Sequence, residues 1–440
     1  MELKGMKVLV VGAGKTGMET ARFLVAKGAS VSLSDGASEE KLGEKADTLK
    51  SLGVELETGG HTTETFLSAD VIIPSPGVPF NIPPLAEAAR KGVEIMSEVE
   101  LASRFINKPV IAVTGSNGKT TTSTLIADIL RKGGKRVFLG ANIGTPLISI
   151  VGKEDEYDIL VLELSSFQLQ GVKTFRPNVA VILNVSPNHL DHHSSFEEYA
   201  ESKMNIFANQ TPDDWCIYKA DDEVIAGYAG RIKSKKLPFG GSGNAVSYDG
   251  TNVTFEGETY DLAGMKLAGY HNVENVMAAI AATRVMGAEP EIIRKAVVEF
   301  GPLPHRNEYL GEIRGAKFYN DSKSTSPGAT LRALESLPAP IILIAGGKDK
   351  GVSYDPLRNS VRKKVKLLVL FGESRFRMQE DLGGDADSVL ADSLEDAVDK
   401  TLGSLAPGDT VLFSPACSSF DMFGSYEERG RRYKDIVANI

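Results

Sequence analysis

A chain of 440 residues, 42 % of them apolar, is long enough for about three globular domains, each with its own core. The formal net charge of −9 argues against a nucleic-acid partner or an anionic membrane surface, because both favour basic proteins. The cysteines Cys216 and Cys417 are far apart, which argues against a disulfide framework, and no apolar run approaches the roughly 18 residues of a membrane span. We therefore expect a soluble, cytoplasmic monomer.

The N-terminal region begins with a strand, a glycine-rich turn and a helix. Residues 6–11 are apolar except for Lys7, residues 12–17 read Gly-Ala-Gly-Lys-Thr-Gly, and a second strand over 31–34 is followed by Asp35. Such glycines allow a tight turn that brings a phosphate to a helix N-terminus, and an acidic residue at this distance can bind a ribose. The pattern alone is typical of an NAD-dependent oxidoreductase, although a turn that only packs a helix on a strand looks the same.

This region is too short for a complete dinucleotide-binding domain. A stiff Pro-Ser-Pro-Gly-Val-Pro loop follows the strand over 71–73, and a new phosphate motif begins near residue 109. A half-size βαβ domain can bind one mononucleotide-like group. A substrate that carries a nucleotide therefore explains the pattern as well as a cofactor does.

A second phosphate motif opens the central region. The apolar strand 109–114 runs into Gly115-Ser-Asn-Gly-Lys-Thr-Thr121, and a helical apolar pattern follows. Small residues let backbone N–H groups turn towards an anion, Lys119 can reach a terminal phosphate, and the Thr120 hydroxyl suits Mg²⁺. Val113 stands where the general P-loop has its first glycine, so the motif is a variant of that loop.

Two further strands end in groups that suit a metal beside this loop. The strand 159–164 delivers Glu163 to the same edge of a parallel sheet, where a carboxylate would hold Mg²⁺ directly or through water. The strand 179–184 runs into a loop with three histidines and an aspartate. Because zinc ligands are usually fixed on rigid elements, we expect His189 to face a Mg²⁺–nucleotide site and the other histidines to be solvated.

Lys203 lies on the apolar face of a predicted helix. Ser195-Phe-Glu-Glu198 is typical of a helix start, and Tyr199, Lys203 and Phe207 then share one face. The lysine either runs along the apolar surface to reach solvent or is held inward. A desolvated lysine loses its charge more easily and becomes chemically available, so Lys203 is a functional candidate.

The pattern weakens between residues 211 and 267, where short strands and glycine turns predict a small antiparallel excursion. A long alanine-rich helix begins near residue 269. Its first turn carries Asn272 and Asn275, whose amides can either meet a base or cap the helix.

The C-terminal region again alternates strands with polar loops. After a linker at 301–306, predicted strands run into the loops 320–325, 346–350 and 414–421. Loops that follow neighbouring parallel strands meet at one sheet edge, and their lysines and hydroxyls suit a carboxylate or phosphate ligand. We therefore predict an α/β fold of three domains: Rossmann-like over 1–98, a central P-loop ATPase-like parallel sheet over 99–301, and Rossmann-like over 302–440.

These motifs resemble the Mur ligases of bacterial peptidoglycan synthesis along the whole chain. The resemblance rests on the phosphate loop with its missing first glycine, on Glu163-Leu-Ser-Ser-Phe-Gln168, on 184–191 and on His271-Asn-Val-Glu-Asn275. Two C-terminal loops look like those of the members that add D-glutamate to UDP-N-acetylmuramoyl-L-alanine, whereas sister ligases carry other residues there. They are Asn320-Asp-Ser-Lys-Ser-Thr325 and Ser414-Pro-Ala-Cys-Ser-Ser-Phe-Asp421.

The resemblance implies ATP and Mg²⁺ as cofactors and a role for each matching position. The implied catalytic residues are Lys119, Glu163, His189 and Lys203, the last at the position of a lysine that the family carbamylates. The implied metal ligands are Thr120, Glu163, His189 and Lys203. The implied ATP-binding residues are Gly115, Asn117, Gly118, Lys119, Thr120, Thr121, Asn272, Asn275, Arg306, Asp321 and Lys323.

The substrate-binding residues that the resemblance implies form two groups. The UDP and muramoyl groups would contact Gly14, Thr16, Gly17, Asp35, Ser75, Pro76, Gly77 and Asn142, so the dinucleotide pattern would not bind NAD. D-Glutamate would contact Thr325, Lys350, Ser419 and Phe420, with Lys350 chosen over Lys348 in a short glycine-rich loop. The chain departs from its relatives at Ala37, where many have an arginine beside the uracil.

The reaction that the resemblance implies is ATP-dependent amide formation through an acyl phosphate, with cations offsetting charge between two anions. We also expect the central and C-terminal domains to close on ATP. Alternatives are another Mur-type amino-acid ligase, or folylpolyglutamate synthase, which gives no reason for the N-terminal glycine-rich domain. A nucleotide-binding switch would use the phosphate loop alone, and an NAD-dependent oxidoreductase would leave Lys119 and Glu163 idle.

Overall fold

A computed structural model describes residues 1–187, 193–349 and 351–440, and the described strands form three sheets. The chain divides into two compact units. One comprises Met1–Met265 and Tyr270–Phe300, and the other comprises Lys266–Gly269 and Gly301–Ile440. The predicted α/β class is confirmed, while the predicted boundaries near residues 98 and 301 stay predictions.

The N-terminal sheet belongs to the first unit. Its strands are β1 (Lys7–Val11), β2 (Ser30–Asp35), β3 (Glu55–Thr58), β4 (Val71–Pro74) and β5 (Glu94–Ile95). The helices of this region are α1 (Lys15–Ala26), α2 (Glu39–Leu42), α3 (Glu44–Ser51), α4 (Thr63–Leu67), α5 (Pro83–Arg90) and α6 (Glu98–Ser103). The strands are parallel in the order β3-β2-β1-β4-β5, which is Rossmann-like, and the carboxyl ends of β1, β2 and β4 lie side by side.

The central sheet belongs to the same unit. Its strands are β6 (Val110–Thr114), β7 (Val137–Ala141), β8 (Ile159–Glu163), β9 (Val179–Ile182), β10 (Trp215–Lys219), β11 (Lys235–Gly240), β12 (Val246–Tyr248), β13 (Asn252–Phe255) and β14 (Glu258–Asp261). The helices are α7 (Lys119–Lys132), α8 (Ser166–Gln170), α9 (Phe196–Met204), α10 (Glu223–Tyr228), α11 (Tyr270–Arg284) and α12 (Pro290–Glu299). The order is β14-β13-β12-β11-β10-β9-β6-β8-β7, and the strands β6, β8 and β9 are buried apolar runs, as expected for parallel strands covered on both faces.

The prediction of short antiparallel strands over 211–267 is only partly correct. The strands β10 and β11 extend the central sheet in parallel, and only β12 to β14 pair antiparallel. The strand β11 begins with two exposed lysines, so its sequence lacks the continuous apolar run of a buried parallel strand.

The second unit contains a third sheet. Its strands are β15 (Glu308–Ile313), β16 (Ala316–Asn320), β17 (Ile341–Gly346), β18 (Val365–Phe371), β19 (Asp387–Leu390) and β20 (Thr410–Phe413). Its helices are α13 (Pro327–Ser336), α14 (Arg358–Lys364), α15 (Arg375–Leu382), α16 (Leu394–Gly403) and α17 (Tyr426–Ala438). The order is β15-β16-β20-β17-β18-β19, parallel except for an antiparallel β15–β16 pair at one edge. No described helix combines the length and apolarity needed to cross a bilayer.

The short helix α6 carries two buried glutamates with opposite environments. Glu98 Oε1 accepts the Ile148 N–H at 2.5 Å while its Oε2 has no partner among the described atoms, and burial raises the pKa of Glu98 to about 7. Glu100 is also buried, but the Thr174 hydroxyl and the N–H groups of 173–175 donate to its carboxylate. Burial alone would raise the pKa of Glu100; these hydrogen bonds outweigh burial and lower it to about 2.

Candidate active site

The phosphate loop lies between β6 and α7 and is held by hydrogen bonds to a neighbouring loop. The Asn117 N–H donates to Asn184 Oδ1 at 2.9 Å, and Asn184 Nδ2 donates to the Asn117 carbonyl at 3.2 Å. The Ser116 hydroxyl lies 2.8 Å from the buried Tyr199 hydroxyl. Gly118, at the N-terminus of α7, has a φ of +85°, a conformation that glycine adopts without strain. The loop is therefore preorganised.

Asn275 packs against this loop from α11. It is 5 % exposed, and its Oδ1 accepts from the Thr122 hydroxyl at 3.2 Å while its Nδ2 donates to Asn272 Oδ1 at 3.1 Å. A Cβ at Gly118 would overlap Asn275 Oδ1. The side-chain amide of Asn275 therefore packs closely against the loop. The sequence had suggested only two roles for it, contact with a base or capping of the helix. The adenine contact implied for Asn272 and Asn275 stays a prediction.

Two lysines converge on one carbonyl of the loop. Lys119 Nζ donates to the Gly115 carbonyl at 2.8 Å and to the Ser116 carbonyl at 3.2 Å, and Lys203 Nζ donates to the Gly115 carbonyl at 3.0 Å. Lys203 is 2 % exposed, which confirms that it points inward, and its Nζ lies 4.6 Å from the centre of the Tyr199 ring. Burial, aided by the charge of Lys119, holds the pKa of Lys203 well below its usual value.

Glu163 stands beside the loop, as predicted. It pairs with Val113 across β8 and β6 and is 2 % exposed. Its Oε1 accepts from Asn142 Nδ2 at 2.6 Å, whereas its Oε2 is buried without a partner among the described atoms. An orphaned buried carboxylate oxygen is unfavourable unless it meets a cation. Glu163 and the Thr120 hydroxyl are hard oxygen donors of the kind that Mg²⁺ prefers, so the residues present fit this ion.

The histidine loop is described only at its end. His189, with residues 188–192, lies outside the described residues. His193 is 3 % exposed, lies 2.9 Å from the Ser166 hydroxyl and stacks on Phe167, so the expectation that it is solvated is wrong. The imidazole ring can be buried because one face stacks on Phe167 while its Nε2 keeps a polar partner in Ser166. Within the described ranges no group of three or more His, Cys, Asp or Glu side chains has the spacing of a metal site.

A second site opens at the carboxyl edge of the N-terminal sheet. A cavity of about 350 Å³ there is lined by predicted substrate-binding residues from three segments and by Asn142, which follows β7. The predicted residues on its lining are Gly14, Thr16, Asp35, Ser75, Pro76, Gly77 and Asn142. The cavity also meets the first turn of α1, whose backbone N–H groups can bind an anion.

The turn beside this cavity is fixed by Asp35 and Gly17. Asp35 Oδ2 accepts the Ala13 N–H at 2.6 Å and Oδ1 accepts the Ala37 N–H at 2.8 Å, so the carboxylate shapes both loops. Gly17 does not line the cavity. A Cβ there would overlap the Gly12 carbonyl, so this glycine allows α1 to approach β1.

The predicted C-terminal loops follow β16, β17 and β20, which are neighbours, so their placement on one sheet edge is confirmed. Asp321 is 5 % exposed, accepts from the Ser414 hydroxyl at 2.7 Å, and has its pKa raised to about 6 by burial. Lys323 Nζ lies 3.8 Å from the centre of the Tyr426 ring. Arg306 is partly exposed between two residues with positive φ, His305 and Asn307.

The residues implied for D-glutamate differ in exposure. Ser419 is 2 % exposed, Phe420 is 72 % exposed, and Thr325 is intermediate. Lys350 lies outside the described residues, while the alternative Lys348 forms an ion pair with Glu373 at 2.6 Å.

Comparison of the sequence with known proteins identifies its relatives. A curated UDP-N-acetylmuramoylalanine–D-glutamate ligase of Citrifermentans bemidjiense is 46 % identical over 444 residues, covering 99 % of this chain and 98 % of the relative. One of the same name from Geotalea uraniireducens is 44 % identical over 447 residues, covering 100 % and 99 %. The chain belongs to the Mur ligase family. Three family models match along it: a Mur ligase MurD-like N-terminal domain over 6–97, a Mur ligase middle domain over 113–283, and a Mur ligase glutamate ligase domain over 305–417.

Solved Mur ligases share the fold. The MurF ligase of Thermotoga maritima, solved in complex with ADP, has a TM-score of 0.62 and 19 % identity, covering 100 % of this chain and 95 % of that one. The UDP-N-acetylmuramate-alanine ligase MurC of the same organism has a TM-score of 0.61 and 20 % identity, covering 99 % of each chain. The three-domain α/β fold predicted from the sequence is thereby confirmed.

Proposed function

We propose that this Mur ligase joins D-glutamate to UDP-N-acetylmuramoyl-L-alanine at the expense of ATP. The observation that carries the proposal is the 46 % identity, over 99 % of the chain, to a curated relative of that name. The preorganised phosphate loop supports it, as does the cavity in the first unit, whose lining includes residues predicted to bind the substrate. We further propose that the protein acts in the cytoplasm as a monomer.

The chemistry needs positioning and charge compensation more than a protein nucleophile. An oxygen of the alanyl carboxylate attacks the γ-phosphorus of ATP, ADP leaves, and an acyl phosphate forms. The amine of D-glutamate then attacks the acyl carbon, phosphate leaves, and the amine proton is released. Such steps bring anions together, so fixed cations and precise placement lower the barrier.

The predicted site residues of the first unit have these tasks in the proposal. Lys119 exchanges its backbone carbonyl contacts for the phosphates of ATP. Thr120 and Glu163 would hold one Mg²⁺ and His189 a second, and these ions would offset the phosphate charge. Asn142 bonds to Glu163 and also lines the cavity, so it links the metal-binding carboxylate to the muramoyl end of the substrate. Asp35 and the Ser75-Pro76-Gly77 loop hold the UDP group.

Lys203 is proposed to carry a carbamate. Its neutral amine would attack the carbon of CO₂ and release a proton, which turns a buried cation beside Lys119 into an anion that binds metal.

Lys203→Ala is expected to lower kcat by about 100-fold or more, since the deletion removes a charge at the metal. Steady-state phosphate release and a ¹³C carbamate signal from labelled bicarbonate test this. Full activity in a stably folded Lys203→Ala protein would contradict it, and Lys233→Ala is a matched control outside the site.

The defining experiment is phosphate release from Mg-ATP by the purified protein. We expect release only when UDP-N-acetylmuramoyl-L-alanine and D-glutamate are both present. L-Glutamate, L-lysine and meso-diaminopimelate serve as controls. Release with one of these instead would move the chain to a sister ligase and leave the fold and phosphate chemistry in place.

A further inference from the structure

Arg429 is a buried cation that none of the steps above uses. It lies in the first part of α17 and is 0 % exposed. In the part of the chain that the structure describes, no carboxylate lies within ion-pair distance of its guanidinium, whose contacts are a hydroxyl and carbonyls. Burying a charge without a counter-ion costs free energy, so we expect a function that explains why the arginine is there.

The guanidinium joins two of the loops at the carboxyl edge of the third sheet. Its Nε donates to the Ser322 hydroxyl at 3.1 Å and its Nη2 donates to the Ser322 carbonyl at 2.8 Å, in the loop after β16. Its Nη1 donates to the Ser418 carbonyl at 3.1 Å, in the loop after β20. The planar fork of an arginine can hold two segments in fixed register, which a lysine cannot do.

A third loop meets the same point. The Lys348 N–H, after β17, donates at 2.9 Å to the Ser418 carbonyl that also accepts from Arg429. A Cβ added to Gly347 would overlap the Ser418 carbonyl oxygen and stand 3.0 Å from Arg429 Nη1, so the glycine lets this loop approach both groups. Arg429 therefore lies where the loops after β16, β17 and β20 come together.

The rest of the first part of α17 braces the loop after β16. The Ser322 hydroxyl donates to the Tyr426 carbonyl at 2.9 Å, and Asn320 Nδ2 donates to the Gly430 carbonyl at 3.1 Å. The Tyr426 ring carries Lys323 Nζ on its face. A shift of Arg429 would consequently move a loop that carries several of the predicted ligand-binding side chains.

The charge of Arg429 persists at neutral pH. Burial lowers its pKa only to about 10, while Cys417, Asp421 and Asp321 favour the charged form from a distance. An amino acid with two carboxylates held by these loops would bring further negative charge towards the guanidinium, beyond that of Asp321 and Asp421.

We propose that Arg429 is a positioning residue for D-glutamate: its guanidinium fixes the three loops, and its charge favours the carboxylates of the bound amino acid. This rests on the proposed function, because it takes these loops as the D-glutamate site, which on the loop after β16 stands beside the ATP contacts implied for Asp321 and Lys323. The juxtaposition that carries it is one buried guanidinium bonded to Ser322 and Ser418 beside Gly347.

The test compares Arg429→Ala, Arg429→Lys and a control, Arg432→Ala. Arg432 lies on the same helix but its side chain is 54 % exposed and pairs with Glu395. KM for D-glutamate is expected to rise at least about 30-fold in Arg429→Ala, because charged hydrogen bonds to two loops are lost. KM for UDP-N-acetylmuramoyl-L-alanine should stay within about twofold, since its proposed site lies on other loops. Arg432→Ala should match the wild type.

Two further readouts separate positioning from mere stability. Guanidinium ion at millimolar concentration should lower KM for D-glutamate in Arg429→Ala and not in the control, and Arg429→Lys should remain impaired. An unchanged KM, or an equal loss for all substrates without rescue, would overturn the role of Arg429. If Arg429→Ala does not fold, the two KM values are measured in Arg429→Lys instead. A rise in KM for D-glutamate alone would support the role of Arg429, and an unchanged KM or an equal loss for all substrates would overturn it. Failure of the wild type to use D-glutamate would instead overturn the proposed function.

Discussion

Glu163→Gln is expected to lower kcat for phosphate release by about 1,000-fold, in keeping with the several kcal/mol that a bound metal supplies in the transition state. The amide can keep the bond from Asn142, because its own Oε1 can accept where the carboxylate did. It cannot provide the negative charge that the orphaned Oε2 now offers. The fold should weaken little, since the side chain keeps its size and its hydrogen bond from Asn142.

Steady-state assays over a range of Mg²⁺ concentrations test this role for Glu163. The variant should need more Mg²⁺ to reach its residual rate, whereas Asp155→Asn should behave as wild type. Asp155 precedes β8 and its side chain is 97 % exposed, so it is a matched loss of a carboxylate outside the site. Wild-type turnover and Mg²⁺ dependence in a folded Glu163→Gln protein would rule out the metal role.

Four of the strands that carry the site, β6, β8, β17 and β20, were predictable because their sequences are nearly continuous apolar runs. Such runs mark strands covered on both faces, and residues just after them must lie at the carboxyl edge of a parallel sheet. This is why Glu163 and the loops after β17 and β20 could be placed from the sequence, whereas β16 has an exposed Lys317 and was marked only by the pair Phe318-Tyr319. The edge strand β15 could not, since its residues are only partly buried and show no such run.

Local patterns also revealed the phosphate loop and Lys203, but they did not reveal Arg429. The helix α17 reads Tyr-Glu-Glu-Arg-Gly-Arg-Arg at its start, which looks like a solvated charged helix. One signal was present: Arg429, Tyr433 and Val437 follow each other at a spacing of four, and all three are buried. The same spacing argument identified Lys203. The contact of Arg429 with Ser322 joins residues 107 positions apart in sequence, which no local pattern contains.

Asn275 and Gly17 illustrate a second limit. Their residue types fit a ligand contact, and the sequence pattern cannot distinguish that from a packing role. In the structure Asn275 fits beneath Gly118, and Gly17 leaves space for the Gly12 carbonyl. Both conclusions depend on how closely two backbone segments approach, which is decided by tertiary packing.

Glu100→Gln is expected to lower the free energy of unfolding of the first unit by about 3 kcal/mol at pH 7, because the pKa of this carboxyl is about 2 in the fold and 4.5 in an unperturbed glutamate. Because the folded-state pKa is depressed, the stabilisation is complete above the unfolded pKa and is lost as pH falls from about 4.5 towards 2. The difference between variant and wild type should therefore shrink over that range.

Glu98→Gln, two residues earlier on α6, should have the opposite effect. The folded-state pKa of Glu98 is raised from 4.5 to about 7, so its contribution to stability is present below the unfolded pKa and lost as pH rises through 7. The amide removes that loss and keeps an acceptor for the Ile148 N–H. At pH 8 the variant should be more stable than the wild type by up to about 3 kcal/mol, with little difference near pH 4.5.

The two glutamates control for each other because the same chemical change is made on the same helix. Urea unfolding of the full chain, followed by the fluorescence of the single tryptophan Trp215 in β10, reports on the unit that contains both. Opposite signs at pH 8 would follow because hydrogen bonds outweigh burial at Glu100, whereas burial outweighs them at Glu98. Equal destabilisation by both substitutions would show that packing, and not ionisation, determines how α6 tolerates a carboxylate.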